Sequence, residues 1–147
     1  MKYWVILILF TAAGALAILM KRPGMDAFAE VKTITGAYVM EERLRNPPDS
    51  KVNGKTLYTS GHFFGHGSNM DIRGMTGHVI TVKYVVMPAI FDSTNVVVEA
   101  TGMDGQILYS KDSQAIQSQW LRSSLLWLSG ILMFFALILF KESSGFK

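Results

Sequence analysis

The stretch Tyr3–Met20, YWVILILFTAAGALAILM, is eighteen residues without a charge, and its reading decides the fold. As a helix rising about 1.5 Å per residue it covers roughly 27 Å, close to the ~30 Å hydrocarbon core of a bilayer. Core helices of soluble proteins rarely run so far without a polar face. A second apolar run, Leu125–Phe140 (LLWLSGILMFFALILF), lies near the other end, and it lengthens if Leu121 joins it and Arg122 reaches out to the interface. These runs predict a membrane protein of α+β class, with two transmembrane helices flanking a small antiparallel β-rich meander domain. The expected divisions are residues 1–22 for the first span, 23–112 for the β-rich domain, 113–141 for a helix continuing into the second span, and 142–147 for a short tail.

The start of the chain also has features of an export signal. Lys2 supplies a short positive region, and Ala15-Leu16-Ala17 has the form of a cleavage site. The apolar run continues through Ile18, Leu19 and Met20, where a mature polar chain would normally begin, so an uncleaved anchor is expected. Lys2, Lys141 and Lys147 lie on the terminal side of the spans, against Lys21, Arg22, Lys32, Lys111 and Arg122 on the domain side. A literal count of cations would put the domain in the cytoplasm, but that rule weakens for loops beyond about 60 residues. The signal-like start argues for an exported domain with both termini cytoplasmic, in a bacterial inner membrane.

Between the spans the domain reads mainly as β. Val79–Met87 (VITVKYVVM) is rich in β-branched residues and is ended by Pro88. Asp92–Asn95 turns the chain into Val96–Ala100, and Asp104-Gly105 turns it into Gln106–Ser110, giving three consecutive antiparallel strands. Upstream, Asn53-Gly54 is a tight-turn signal between Val52 and a Lys55–Thr59 strand. Pro23-Gly24 ends the first span, Asp26 to about Lys32 is expected to be helical, and Thr33–Met40 extended. Glu41–Arg45 then forms a charged, solvated exit closed by Asn46-Pro47-Pro48-Asp49. Asp112 or Ser113 caps a helix expected to run unbroken from Ser113 to Phe140, tying the domain rigidly to the second span. The span–domain–span layout resembles that of several bacterial membrane-protein families, and Val52–Tyr58 (VNGKTLY) resembles the turn and strand of one group of two-span proteins. A hairpin pattern this short implies no function.

Small residues mark both spans: Ala13 and Ala17 four apart in the first, Ser129 and Gly130 in the second. They let helix backbones approach closely in lipid, either between the two spans or against the spans of another subunit. Tyr3, Trp4, Trp120 and Trp127 are expected at the membrane interface.

The chemistry-bearing residues gather in Gly61–His78 (GHFFGHGSNMDIRGMTGH), which holds all three histidines and five of the thirteen glycines. His62, His66 and His78, with Asp71 as a fourth ligand, have the composition of a Zn²⁺ or Cu²⁺ site. Glycine flanks each histidine, whereas a coordination shell needs held rotamers. The favoured reading is contact: Phe63, Phe64, Met70 and Met75 on a glycine-rich loop suit a partner subunit or the bilayer surface. The bland alternative is a hairpin whose Phe63 and Met70 fold back into the domain.

Several classes are excluded. The segment from Lys21 to Trp120 carries ten basic and ten acidic residues, so no basic stripe for nucleic acid exists. With no cysteine there is no disulfide frame, thiolate site or thiol nucleophile. No P-loop, G-x-S-x-G or H-E-x-x-H motif is present, and neither span carries a charge near its centre. The expected function is therefore that of a non-catalytic integral-membrane subunit without cofactor. It would sit in membrane lipid within a larger secretion, conjugation or transport assembly, meeting other integral-membrane or envelope subunits or copies of itself. The alternative is a metal-handling protein or metalloenzyme assembly factor using the three histidines.

Overall fold

The computed structural model describes residues 2–41 and 48–144. Two long helices, α1 (Lys2–Met20) and α2 (Ser113–Ser144), enclose in sequence eight strands: β1 (Lys32–Glu41), β2 (Asp49–Val52), β3 (Lys55–Thr56), β4 (Gly61–His62), β5 (Gly65–His66), β6 (Val79–Pro88), β7 (Ser93–Gly102) and β8 (Ile107–Ser110). The class is α+β, with antiparallel pairing throughout the six-stranded sheet β3-β2-β1-β6-β7-β8, beside a separate two-stranded hairpin, β4-β5. Both helices are long and apolar enough to cross a membrane.

The sheet curls back on itself because β1 is shared between two partners. Lys32–Ala37 pairs with β6, whereas Tyr38–Glu41 pairs with β2. The Asn53-Gly54 turn (φ 49° and 76°) reverses β2 into β3, as the dipeptide predicts. The chain then reaches the free edge of β7: Tyr58 donates its N–H to the Asn95 carbonyl at 2.9 Å and accepts from the Val97 N–H at 2.8 Å. This closure gives the domain the character of a small barrel.

Inside it lies the first core: Tyr38, Val52, Leu57, Met70, Ile80, Val82, Tyr84, Val97 and Ala100, with Ile72 at its margin. Ile80, Val82 and Tyr84 point inward by the period-two rule. On β7 a bulge intervenes, for Lys83 pairs with Glu99 while Tyr84 pairs with Val97, leaving Val98 without a partner on β6. Val97 and Ala100 therefore both face the core. The opposite face of β6 and β7 is covered only at one end. There Val85, Met87 and Val96 join Ile18, Phe28, Phe63, Ile116, Trp120 and Leu128 in a second core between barrel and helices.

Asp112 caps α2, accepting from the Gln114 N–H at 3.0 Å, and the helix runs for 32 residues, or about 48 Å. The helices are antiparallel, with Phe10 edge-on to Phe135 and Gly14 against Leu128. Gln117 Nε2 donates to the Pro23 carbonyl at 2.6 Å, pinning the exit of α1 to the start of α2.

Some local expectations need correction. The helix expected from Asp26 to Lys32 is only a 3-10 turn, Met25–Phe28. Val31, Thr33 and Thr35 favour extension, and pairing with β6 begins already at Lys32. The expected Lys55–Thr59 strand stops at Thr56, since Leu57 enters the core and Tyr58 crosses to β7. Ser93–Asn95, expected in a turn, belong to β7, and the reversal lies at Ala89–Asp92. Trp120 is fully buried and no interfacial anchor, its Nε1 donating to the Pro88 carbonyl at 3.1 Å. Of the charged exit, Glu41 pairs with Lys51 at 2.6 Å. Residues 42–47 of that exit, and 145–147 of the tail, lie outside the described residues.

Candidate functional site

The Gly61–His78 stretch leaves the barrel as the short β4-β5 hairpin, whose two-residue turn is Phe63-Phe64. Gly67 lets the hairpin return beside its own start, because a Cβ there would stand 2.6 Å from the Ser60 carbonyl oxygen. The Ser68 N–H donates to Ser60 Oγ at 2.9 Å and closes the loop. The hairpin lies against α2. Ser124 Oγ accepts from the Phe63 N–H at 2.8 Å, and Phe63 packs edge-on to Trp120.

The hairpin register separates the first two histidines. Gly61 pairs with His66 and His62 with Gly65, so adjacent pairs send their side chains to opposite faces. His62 stacks on Trp127 of α2 with ring centroids 5.4 Å apart. His66 stacks on Tyr58 at 4.6 Å, and its Nδ1 lies 3.0 Å from Thr94 Oγ1. His78 is exposed in the turn leading into β6, with its carbonyl accepting from the Tyr38 N–H at 2.9 Å. Asp71 is also exposed and reaches Arg73 at 3.8 Å. Two residues four apart on one unbroken strand would share a face, but the turn at Phe63-Phe64 puts His62 and His66 on opposite faces. Among the described residues no three His, Asp or Glu side chains converge as a metal shell would require.

His62 is nine-tenths buried, and burial pushes its pKa below the ordinary 6.5, an effect partly opposed by the backbone of His66. Its Nδ1 is buried with no hydrogen-bond partner among the described residues, so a neutral ring suits the site better than an imidazolium. Lys111 also has its pKa lowered by burial, and its ammonium reaches the Thr59 carbonyl and Gln119 Oε1. Burial raises the Tyr38 pKa, and its hydroxyl donates to the Met70 carbonyl at 2.7 Å while accepting from the Ile72 N–H at 3.2 Å.

The residues expected to make contacts divide. Met70 is fully buried in the barrel and Phe63 is buried against Trp120, so both serve the chain's own cores and offer no outward surface. Here the fold-back alternative describes them. Phe64 and Met75 are half-buried and remain partly available. Of the small span residues, Ala17 packs beside the second core, whereas Ala13, Ser129 and Gly130 face outward. The tight contact between the helices is instead Gly14 against Leu128, together with buried Ser124.

Sequence reasoning missed the turn after β6. The Ile90 N–H donates to the Phe63 carbonyl at 2.6 Å, joining that turn to the hairpin, and Phe91 beyond it is 93% exposed. The available signal was an apolar pair, Ile90-Phe91, in a reversal where polar residues are usual. Hairpin, turn and the Trp120–Trp127 segment of α2 thus form one surface at the helix-bearing end of the barrel.

No family model, curated protein or solved structure matches the chain.

Proposed function

We propose that the chain is a two-span integral-membrane protein acting as a non-catalytic subunit of a larger membrane assembly, its barrel making contacts with other subunits. The observation that carries the membrane part is the exposure of the helices. Only 6% of Tyr3–Met20, and 11% of the apolar eighteen-residue stretch within Ser113–Lys141, is buried. Ile8, Leu9, Leu126, Phe134 and Leu137 all point outward. A core helix of a soluble protein would be covered by its own chain, and so much apolar surface needs a bilayer or partner helices around it. The packing of Gly14 on Leu128 and of Ile18 beside Trp120 supports an anchor that stays attached, since cleavage at Ala17 would discard half of that contact.

The subunit part rests on how the polar side chains are used. His62, His66, Ser124 and Tyr38 each hold one part of the fold against another. Outward-facing Ala13, Ser129 and Gly130 leave slim helix surfaces suited to other spans. The signal-like start favours a barrel outside the cytoplasm of a bacterial cell. Secretion, conjugation and transport machines are the assembly types this design fits.

Gentle extraction followed by blue-native electrophoresis and mass spectrometry of copurifying chains tests the reading. A band well above the monomer with stoichiometric partners is expected. A lone monomer throughout would overturn the subunit role.

A further inference from the structure

We propose that the barrel is seated in the bilayer surface rather than held above it, with the Ile90-Phe91 turn entering the lipid interface as a third membrane contact. The inference rests on the two-span reading and deepens it by naming the phospholipid bilayer as the partner of this surface.

Depth can be read along the helices. On α1 the apolar run ends at Met20, followed by Lys21 and Arg22; on α2 the last cation before the apolar run is Arg122, and all three are exposed. The apolar stretches beyond these cations, Tyr3–Met20 and Ser123–Phe140, are equally long at eighteen residues, or about 27 Å each. Lys21, Arg22 and Arg122 therefore mark one headgroup level on the barrel side. The hairpin passes below that level. Phe63 bonds to Ser124, two residues past Arg122, and His62 stacks on Trp127, five residues past it, which is about 7 Å further along the axis. The Ile90 N–H is bonded to the Phe63 carbonyl, so the β6–β7 turn lies at the hairpin's depth.

At that depth the turn presents apolar groups. Phe91 is almost fully exposed, Ile90 is about half exposed, and Trp127 beside the hairpin is exposed over half its surface. Phenylalanine and tryptophan at the headgroup–acyl boundary bury apolar area while leaving backbone groups near water. Part of the backbone in this turn is satisfied internally, with the Ala89 N–H donating to the Asp92 carbonyl at 2.9 Å and the Ser93 N–H to Asp92 Oδ1 at 2.7 Å. These bonds lower the cost of bringing the turn to the interface, where its remaining backbone groups keep water within reach.

The chain has no cysteine, so single-cysteine variants can be labelled without background. Phe91→Cys, Met103→Cys at the opposite end of the barrel and Leu137→Cys in α2 would each carry an environment-sensitive fluorophore. The whole 147-residue chain would be placed in phosphatidylcholine nanodiscs, with and without lipid brominated near the top of its acyl chains. The Phe91 label is expected to be quenched by brominated lipid and to lose iodide quenching, whereas the Met103 label shows the reverse. If the Phe91 label behaves like Met103 while Leu137 is quenched by lipid, the seating is overturned and the spans stand. If the Leu137 label is also open to iodide and untouched by brominated lipid, the two-span reading fails, and this inference with it.

Discussion

Ser124 Oγ accepts the Phe63 N–H at 2.8 Å and donates its own proton to the Trp120 carbonyl at 2.7 Å, so one hydroxyl joins the hairpin to the second helix. Both bonds are buried. Serine one turn past a carbonyl often bonds back along its own helix, and here the oxygen left over satisfies a strand-end donor from another element.

Ser124→Ala would strand the buried Phe63 N–H. The expected cost is about 1–3 kcal/mol, the penalty of an unpaired buried donor. Thermal unfolding of the nanodisc-embedded protein, followed by the fluorescence of the tryptophans beside the hairpin, should show a lower midpoint. An unchanged midpoint would mean that the hairpin does not depend on this bond.

Tyr38→Phe removes the hydroxyl that joins the Met70 carbonyl to the Ile72 N–H inside the barrel. Two backbone groups lose their partner while the ring stays in place, so a loss of roughly 1–3 kcal/mol is expected without a change of fold. Amide exchange at Ile72 should quicken more than at Val82.

Gly67→Ala introduces a Cβ that would lie 2.6 Å from a backbone oxygen of Ser60, which no side-chain rotation can relieve. The backbone has to shift, and overpacking of this kind costs about 1–3 kcal/mol. Gly14→Ala meets only the flexible end of Leu128 and should be milder. A denaturation series ranking Gly14→Ala as the more damaging would contradict this assignment of the tight spot.

His62 gives the fold a pH dependence whose sign follows from its burial. Its folded pKa lies below the ordinary 6.5, so the unfolded chain binds a proton that the folded chain refuses. Full stability is present above that ordinary value and is lost as the pH falls from it toward the folded pKa. The melting midpoint should drop as the pH falls below the ordinary 6.5, and His62→Phe, which keeps a ring on Trp127, should flatten the profile. An equal drop in that variant would assign the effect to another group.

Much of the secondary structure was legible because its signals are local. The two charge-free runs, the β-branched Val79–Met87 stretch, the Asn53-Gly54 turn and the Asp112 cap each depend on neighbours only a few residues away. The closing of the sheet was not legible. It depends on β1 changing partner at Tyr38 and on Tyr58 meeting β7 from far along the chain, and neither leaves a periodic trace. The site divided in the same way. A four-residue spacing such as that of His62 and His66 gives a common face only where no turn intervenes, and Phe63 and Met70 look like contact residues until two separate cores claim them. Trp120 illustrates the same limit, since an aromatic at the start of a span fits an interface equally well until its indole finds the Pro88 carbonyl.

The unbroken α2 and the Gln117–Pro23 bond hold the barrel at two points, and no flexible tether intervenes between Lys111 and the helix. In the membrane arrangement proposed above, such a domain has almost no reach of its own. A partner cannot be captured by a swinging arm; it must arrive by lateral diffusion in the same plane and at the same height. The search for a partner is thereby confined to two dimensions, and any tilt of the second helix becomes a tilt of the barrel.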